Sequence, residues 1–241
     1  IAVLERALGT DFDLAKAPGF GLTGQYPALV TGPSGLTFNY ADGGAGRLPQ
    51  ASLFWLAKRF NRPDWLLGEL DRVRSSMTRI QDGTNARNRL LPLALLWMNA
   101  EDKPPPIQLP LHWSSEGDTP ITVHRSSWHD ANATFVGIKA GSPSANHGQM
   151  DIGSFVLDAD GVRWAHDLGA EGYHGIESRG MNLWGRGQDS DRWKIFRQCN
   201  AGHNTLVIDG GLQQASAHAK VIGFSDSPHF SHTIVDMSPI Y

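Results

Sequence analysis

The stretch SANHGQMDIGSF, Ser144 to Phe155, sets two amides, an imidazole and a carboxylate close together at Asn146, His147, Gln149 and Asp151. An imidazole titrates near neutrality and so moves protons, and a primary amide donates hydrogen bonds to a developing negative charge. Farther along, Asp167 follows VRWAH, and His203 with Asn204 opens HNTLVIDGG. Carboxylate and imidazole are ordinary zinc ligands, whereas a glutamine oxygen is a poor one. In a shared antiparallel sheet, Gln149, Asp167 and His203 would converge. The residues alone leave two readings open: a functional site, or polar strand ends satisfied by backbone and water. Either way, side chains buried here need partners, because an unpaired buried polar group costs about 1 to 3 kcal/mol.

The elements that must position these groups differ between the two ends of the chain. An extended segment alternates its side chains, so His147, Gln149, Asp151 and Gly153 are expected on one face of a strand. DADG, Asp158 to Gly161, lies between two apolar runs and predicts a hairpin turn. ITVHRSSW, ATFVGIKAG, RWKIFRQ and HNTLVIDGG read as further strands. Up to about Ala100 the helical period dominates, in IAVLERAL, QASLFWLAKRF and RNRLLPLALLWMN, the last interrupted by Pro92. The Gly-rich stretch Tyr26 to Pro49 is longer than a helix connector needs. Its NYADGG, with Tyr40 and Asp42, is expected to reach the site from the helical side. EDKPPPIQLP is an extended linker by composition, which divides the chain into a helical part, 1–104, and a sheet part, 105–241.

Composition narrows the function classes. With 241 residues, 40% of them hydrophobic, the chain can bury a sizeable core. The net charge of −3 and the scattered Lys and Arg give no track for nucleic acid and no basic face for a membrane surface, and no apolar run is long enough to span a bilayer. The single cysteine, Cys199, excludes an internal disulfide and a multi-Cys metal site. Eight Trp and four Tyr exceed what a modest core requires, and flat aromatic faces serve as platforms for sugar rings as well as core filler. The chain opens without Met in mid-helix, and is expected to be an internal fragment of a longer protein.

Taken in order, NHGQMDIGSFVLDADGVRWAHDLG, SDRWKIFR and GHNTLVIDGG resemble the heparinase II/III-like polysaccharide lyases. Those proteins carry an Asn-His-x-His-x-Asp-x-Gly-Ser-Phe motif, a second strand ending in Asp-x-Gly, then an Arg and a His-Asn-Thr-Leu strand. The likeness runs from about Asn132 to Gly211. It implies the last part of an (α/α) toroid of helices followed by an antiparallel β-sandwich. It also implies β-elimination of a uronate-containing polysaccharide, such as a glycosaminoglycan or alginate, by a bacterial periplasmic or secreted enzyme. Asn146 would neutralise the uronate carboxylate and His147 would be catalytic. Gln149, Asp167 and His203 would hold a structural zinc, weakened because Gln149 stands where His is usual. Tyr173 is expected in the catalytic group, with Arg197 and Tyr40 touching substrate. The family's other Tyr and His belong to the toroid and are expected upstream of Ile1, so this chain alone is expected to be inactive. The alternatives are a noncatalytic carbohydrate-binding or scaffolding module, and a metal-dependent glycan hydrolase.

Overall fold

The structure, a computed structural model, describes residues 1–81, 88–98 and 106–241. They form two compact units: Ile1–Leu29 with Arg47–Leu109, and Val30–Gly46 with Pro110–Tyr241. The expected boundary at 104/105 lies outside the described residues. The units part at 109/110, and the Gly-rich segment expected on the helical side belongs with the sheet.

The first unit carries α1 (Ala2–Leu8), α2 (Tyr26–Leu29), α3 (Ala51–Arg59) and α4 (Glu69–Gln81). α3 buries Ala51, Leu53, Phe54, Leu56 and Ala57, as the helical period requires. Ala51 and Phe54 pack on Leu91 and Ala94. In RNRLLPLALLWMN the described residues, 88–98, supply only the short 3-10 run Leu91–Leu96, with Pro92 in its first turn, where a missing N–H is harmless. α4 escapes the apolar pattern because it buries only Glu69 and Ser76. Glu69 accepts hydrogen bonds from the Arg47 guanidinium and the Gln50 amide. Its burial still pushes the carboxyl above the usual range.

The second unit is built on an antiparallel sheet in simple sequential order: β1 (His112–Ser114), β2 (Ile121–Arg125), β3 (Phe135–Lys139), β4 (Phe155–Ala159) and β5 (Val162–Ala165). The DADG hairpin forms with Asp160 and Gly161 at φ of 52° and 74°, the two positive values a tight hairpin turn needs. A second sheet pairs β6 (Lys220–Ser225) with β7 (His232–Asp236). Two of the expected strands beyond the hairpin are absent. RWKIFRQ begins with a 3-10 turn, Asp191–Lys194. HNTLVIDGG forms turns, with Leu206, Val207 and Ile208 exposed, because among the described residues no strand pairs with it.

Alternation on β2, β3 and β4 gives the core face: Ile121, Val123, Phe135 and Val156 pack with Val30 and Phe38. Phe38 lies directly over Gly137, where a Cβ would come within 2.6 Å of its ring. That contact lays the segment Val30–Gly46 on the sheet. Polar ties hold it there: Ser34 Oγ donates to Asp158 at 2.5 Å, and Arg163, paired with Asp158, donates to the carbonyls of Leu36 and Thr37 at 3.0 and 3.1 Å. Lys139 and Asp151 form an ion pair with both side chains fully buried. Removing one partner from such a pair strands the other charge, so Lys139→Ala is expected to cost about 3 to 5 kcal/mol in urea denaturation. A loss below about 1 kcal/mol would mean that water reaches Asp151.

Candidate active site

The site is assembled on two bends of the second unit. Residues 142–154 do not form the expected strand; they turn, and β4 starts only at Phe155. His147 has φ of 55°, an uncommon left-handed conformation for a side chain of its size. Gly148 closes the turn: its N–H reaches Ala145 O at 2.8 Å, and a Cβ there would lie 2.5 Å from Pro143 O. Shared-face alternation therefore does not apply. The His147 side chain is 49% exposed, while Gln149 and Asp151 are buried. On the facing loop, Ala41 also has a positive φ, 51°, and gives its N–H to Asp151 Oδ2 at 2.8 Å. The Lys139–Asp151 pair thus pins the loop that presents Asp42.

Asp42 is the hub. Its Oδ2 lies 3.0 Å from His147 Nδ1 and accepts the Tyr173 hydroxyl, and its Oδ1 accepts Gln149 Nε2 at 2.7 Å. Arg192 Nη2 stands 3.6 Å from Oδ1. Burial alone would raise this carboxyl; the hydrogen bonds from Tyr173, Gln149 and His147 with the Arg192 charge outweigh it and hold it below its ordinary value of 3.8. Tyr173 moves the other way: burial, then its bond to and the charge of Asp42, push the phenol up to about 12. Tyr173 Oη is also 3.1 Å from His147 Nδ1. Tyr173 opens α5 (Tyr173–Glu177), and its ring packs on the buried cluster Ile176, Leu183 and Ile195. With a proton on Nδ1 facing Asp42, His147 presents Nε2 as a base, and Tyr173 stays an acid at neutral pH.

Arg192 ties the site to the next loop. It is buried, donates to Gly148 O through Nε and Nη2 at 3.1 and 2.6 Å, and to Leu183 O through Nη1 at 3.1 Å. Next to Leu183, Trp184 meets the rings of His147 and Tyr173 nearly at right angles, with centroids 6.2 and 5.3 Å away. Arg186 Nη2 donates to Asn146 Oδ1 at 2.9 Å.

The remaining expected residues are placed differently. Tyr40 packs its ring on Phe38 at 5.3 Å beside the core cluster, and Asp42, two residues on, reaches the site. Arg197 Nη1 donates to Leu168 O at 2.9 Å, and its Nε lies 3.6 Å from Glu171, which braces that loop. Trp184, Arg186 and Arg192 sit in GMNLWGRGQDSDR, where no period marks them. The signal available in sequence was a Trp followed by Gly and Arg in a polar stretch.

Asp167 and His203 do meet: Asp167 Oδ2 lies 2.7 Å from His203 Nδ1, both side chains are buried, and Asp167 Oδ1 accepts the Gly169 N–H at 2.8 Å. Gln149 sends its amide N–H to Asp42 instead. Two buried atoms, His203 Nε2 and Gln149 Oε1, have no hydrogen-bond partner. An unpaired imidazole nitrogen backed by a carboxylate suits a cation or a water, with Asp167 setting the ring. Among the described residues no three His, Cys, Asp or Glu side chains group as metal ligands.

A groove of about 420 Å³ on the sheet's other face, lined by His112, His124, Val136, Phe155 and His232, takes in none of the Asp42 cluster. There His124 Nδ1 lies 3.0 Å from His112 Nδ1, and His124 Nε2 lies 2.7 Å from Thr233 Oγ1.

A half-exposed imidazole backed by a carboxylate and a tyrosine is an arrangement able to take up and release protons. Comparison with known families agrees: residues 123–223 match the family described as heparinase II/III-like, C-terminal. The match falls on the stretch whose motifs carry the resemblance, and bears that resemblance out. Comparison with curated proteins gives no match.

Proposed function

We propose that this protein is a polysaccharide lyase that cleaves uronate-containing polysaccharide by β-elimination. The observation that carries this reading is the mutual contact of His147, Tyr173 and Asp42 at a solvent-accessible turn of a heparinase II/III-like domain. In this mechanism Asn146 donates to the substrate carboxylate, which lowers the penalty of the second negative charge that develops as C5 is deprotonated. His147 Nε2 takes the C5 proton. The C4–O4 bond breaks, its electrons leave with O4, Tyr173 gives O4 its proton, and a C4=C5 double bond remains. A phenolate at Tyr173 is strongly basic and lies beside His147 Nδ1, so the proton gained at Nε2 is balanced by one passed from Nδ1.

The same reading takes the helical unit as the end of an (α/α) toroid, the sheet unit as part of a β-sandwich, and the setting as bacterial periplasm or outside the cell. The further Tyr and His that the resemblance assigns to the toroid would complete the site. Elimination creates an absorbing unsaturated uronate, which neither hydrolysis nor simple binding does. The test is that absorbance with the intact protein on heparin, heparan sulfate and alginate. Absence of the chromophore on every uronate polymer overturns the reading.

A zinc ion at His203, with Gln149 Oε1 as a weak second donor, would cross-link buried turns and take no part in the proton transfers. His203→Ala is therefore expected to lower bound zinc and the melting temperature together. Elemental analysis finding no metal, with an unchanged melting temperature in the variant, overturns the metal anchor.

A further inference from the structure

An indole left in water normally has no reason to be held still. Trp184 is 56% exposed, yet it is fixed on several sides. Its Nε1 donates to Glu177 Oε1 at 3.0 Å, and its backbone N–H to Asn182 Oδ1 at 3.0 Å. Its ring is braced by His147 and Tyr173. The loop beneath is locked by fully buried Leu183, by Arg192 on Leu183 O, and by Trp193 Nε1 on Gly187 O at 2.7 Å. A large flat apolar surface that is ordered before any ligand arrives loses little entropy on binding one.

Two residues on, Arg186 supplies charge. Its guanidinium donates to a neutral amide, Asn146, so that contact leaves the positive charge uncancelled, and its backbone carbonyl is fixed by Ser144 Oγ at 3.0 Å. Arg192 is near enough for the two guanidinium charges to oppose each other. An oxyanion placed between indole and guanidinium would relieve that repulsion, and a guanidinium fork matches a carboxylate or a sulfate equally well in two-point contact.

We propose that Trp184 and Arg186 form a sugar subsite beside the reacting centre: Trp184 stacks on the C–H face of an acidic hexose ring and Arg186 clamps its carboxylate or sulfate. The assignment rests on the lyase reading for which ring reacts, but the binding it requires is measurable without turnover.

The test is calorimetric titration of the intact protein with an alginate hexasaccharide, its carboxyl-reduced counterpart and a heparan sulfate hexasaccharide. Trp184→Ala is expected to weaken all three about 10-fold, with Trp184→Phe recovering part of the loss. Arg186→Gln is expected to weaken the alginate and heparan sulfate ligands about 10-fold or more and to leave the carboxyl-reduced one within about 2-fold. A heparan sulfate loss clearly above the alginate loss assigns sulfate to Arg186; equal losses assign carboxylate. Because Trp184 braces His147 and Tyr173, Arg186→Gln is the independent arm. Wild-type affinity in both Trp184→Ala and Arg186→Gln overturns the subsite while the chromophore assay still judges the lyase reading. Tight binding without elimination, lost in these variants, supports the subsite and sinks the lyase. A wild-type protein that binds none of the three ligands overturns both.

Discussion

Replacing His147 with alanine in the intact protein is expected to lower kcat for uronate elimination by about 100- to 10,000-fold, the usual range for loss of a general base. The melting temperature should change little. The imidazole is half exposed, and without it Asp42 keeps Gln149, Tyr173 and Arg192 as partners. His147→Gly separates chemistry from backbone: it removes the same base while relieving the left-handed φ of 55°. It should therefore match alanine in lost turnover and equal or exceed it in stability. Rates near wild type on the best substrate, read as growth of the unsaturated product, would remove His147 from the mechanism.

Asp42→Asn should be nearly as severe, with a loss of about 100-fold or more, because the amide keeps the shape but takes away the charge that orients His147. Its signature lies in pH. The Asp42 charge is one of the causes that push Tyr173 up to about 12, so in the variant the phenol falls back toward its ordinary value of 10.0 and the alkaline limb of the rate profile moves to lower pH. Stability gives a second, opposite check. The folded carboxyl lies below its ordinary 3.8, so its contribution is fully present above that value and is lost as pH falls through the lower folded value. The stability gap between wild type and Asp42→Asn should thus be constant near neutrality and close below about pH 4. An unmoved alkaline limb together with a pH-independent gap would show that Asp42 does not set the state of its neighbours.

Much of the sheet was legible in the chain because short-range rules govern it. β2, β3, β4 and β5 follow alternation or short apolar runs, and the DADG turn follows from the two positive φ values that Asp160 and Gly161 accept. The same local character misled at RWKIFRQ and HNTLVIDGG, where an apolar run has strand propensity but no ladder partner among the described residues. Strand structure is a property of pairs of segments, and propensity speaks for only one of them.

By itself, then, the sequence determined the family-like order of Asn146, His147, Asp167 and His203, the hairpin between β4 and β5, and the Asp167–His203 partnership that the hairpin makes possible. Only the tertiary structure decided that Asp42 is the hub, that Tyr40 packs beside the core, and that Gln149 turns its amide to Asp42. Asp42 stands 105 residues before His147 and 131 before Tyr173. Nothing in local pattern spans such distances. They are closed because Phe38 seats over Gly137, Asp158 and Arg163 hold Ser34, Leu36 and Thr37, and buried Asp151 takes the Ala41 N–H, so that the backbone of a Gly-rich loop is fixed by packing and buried hydrogen bonds rather than by its own preferences.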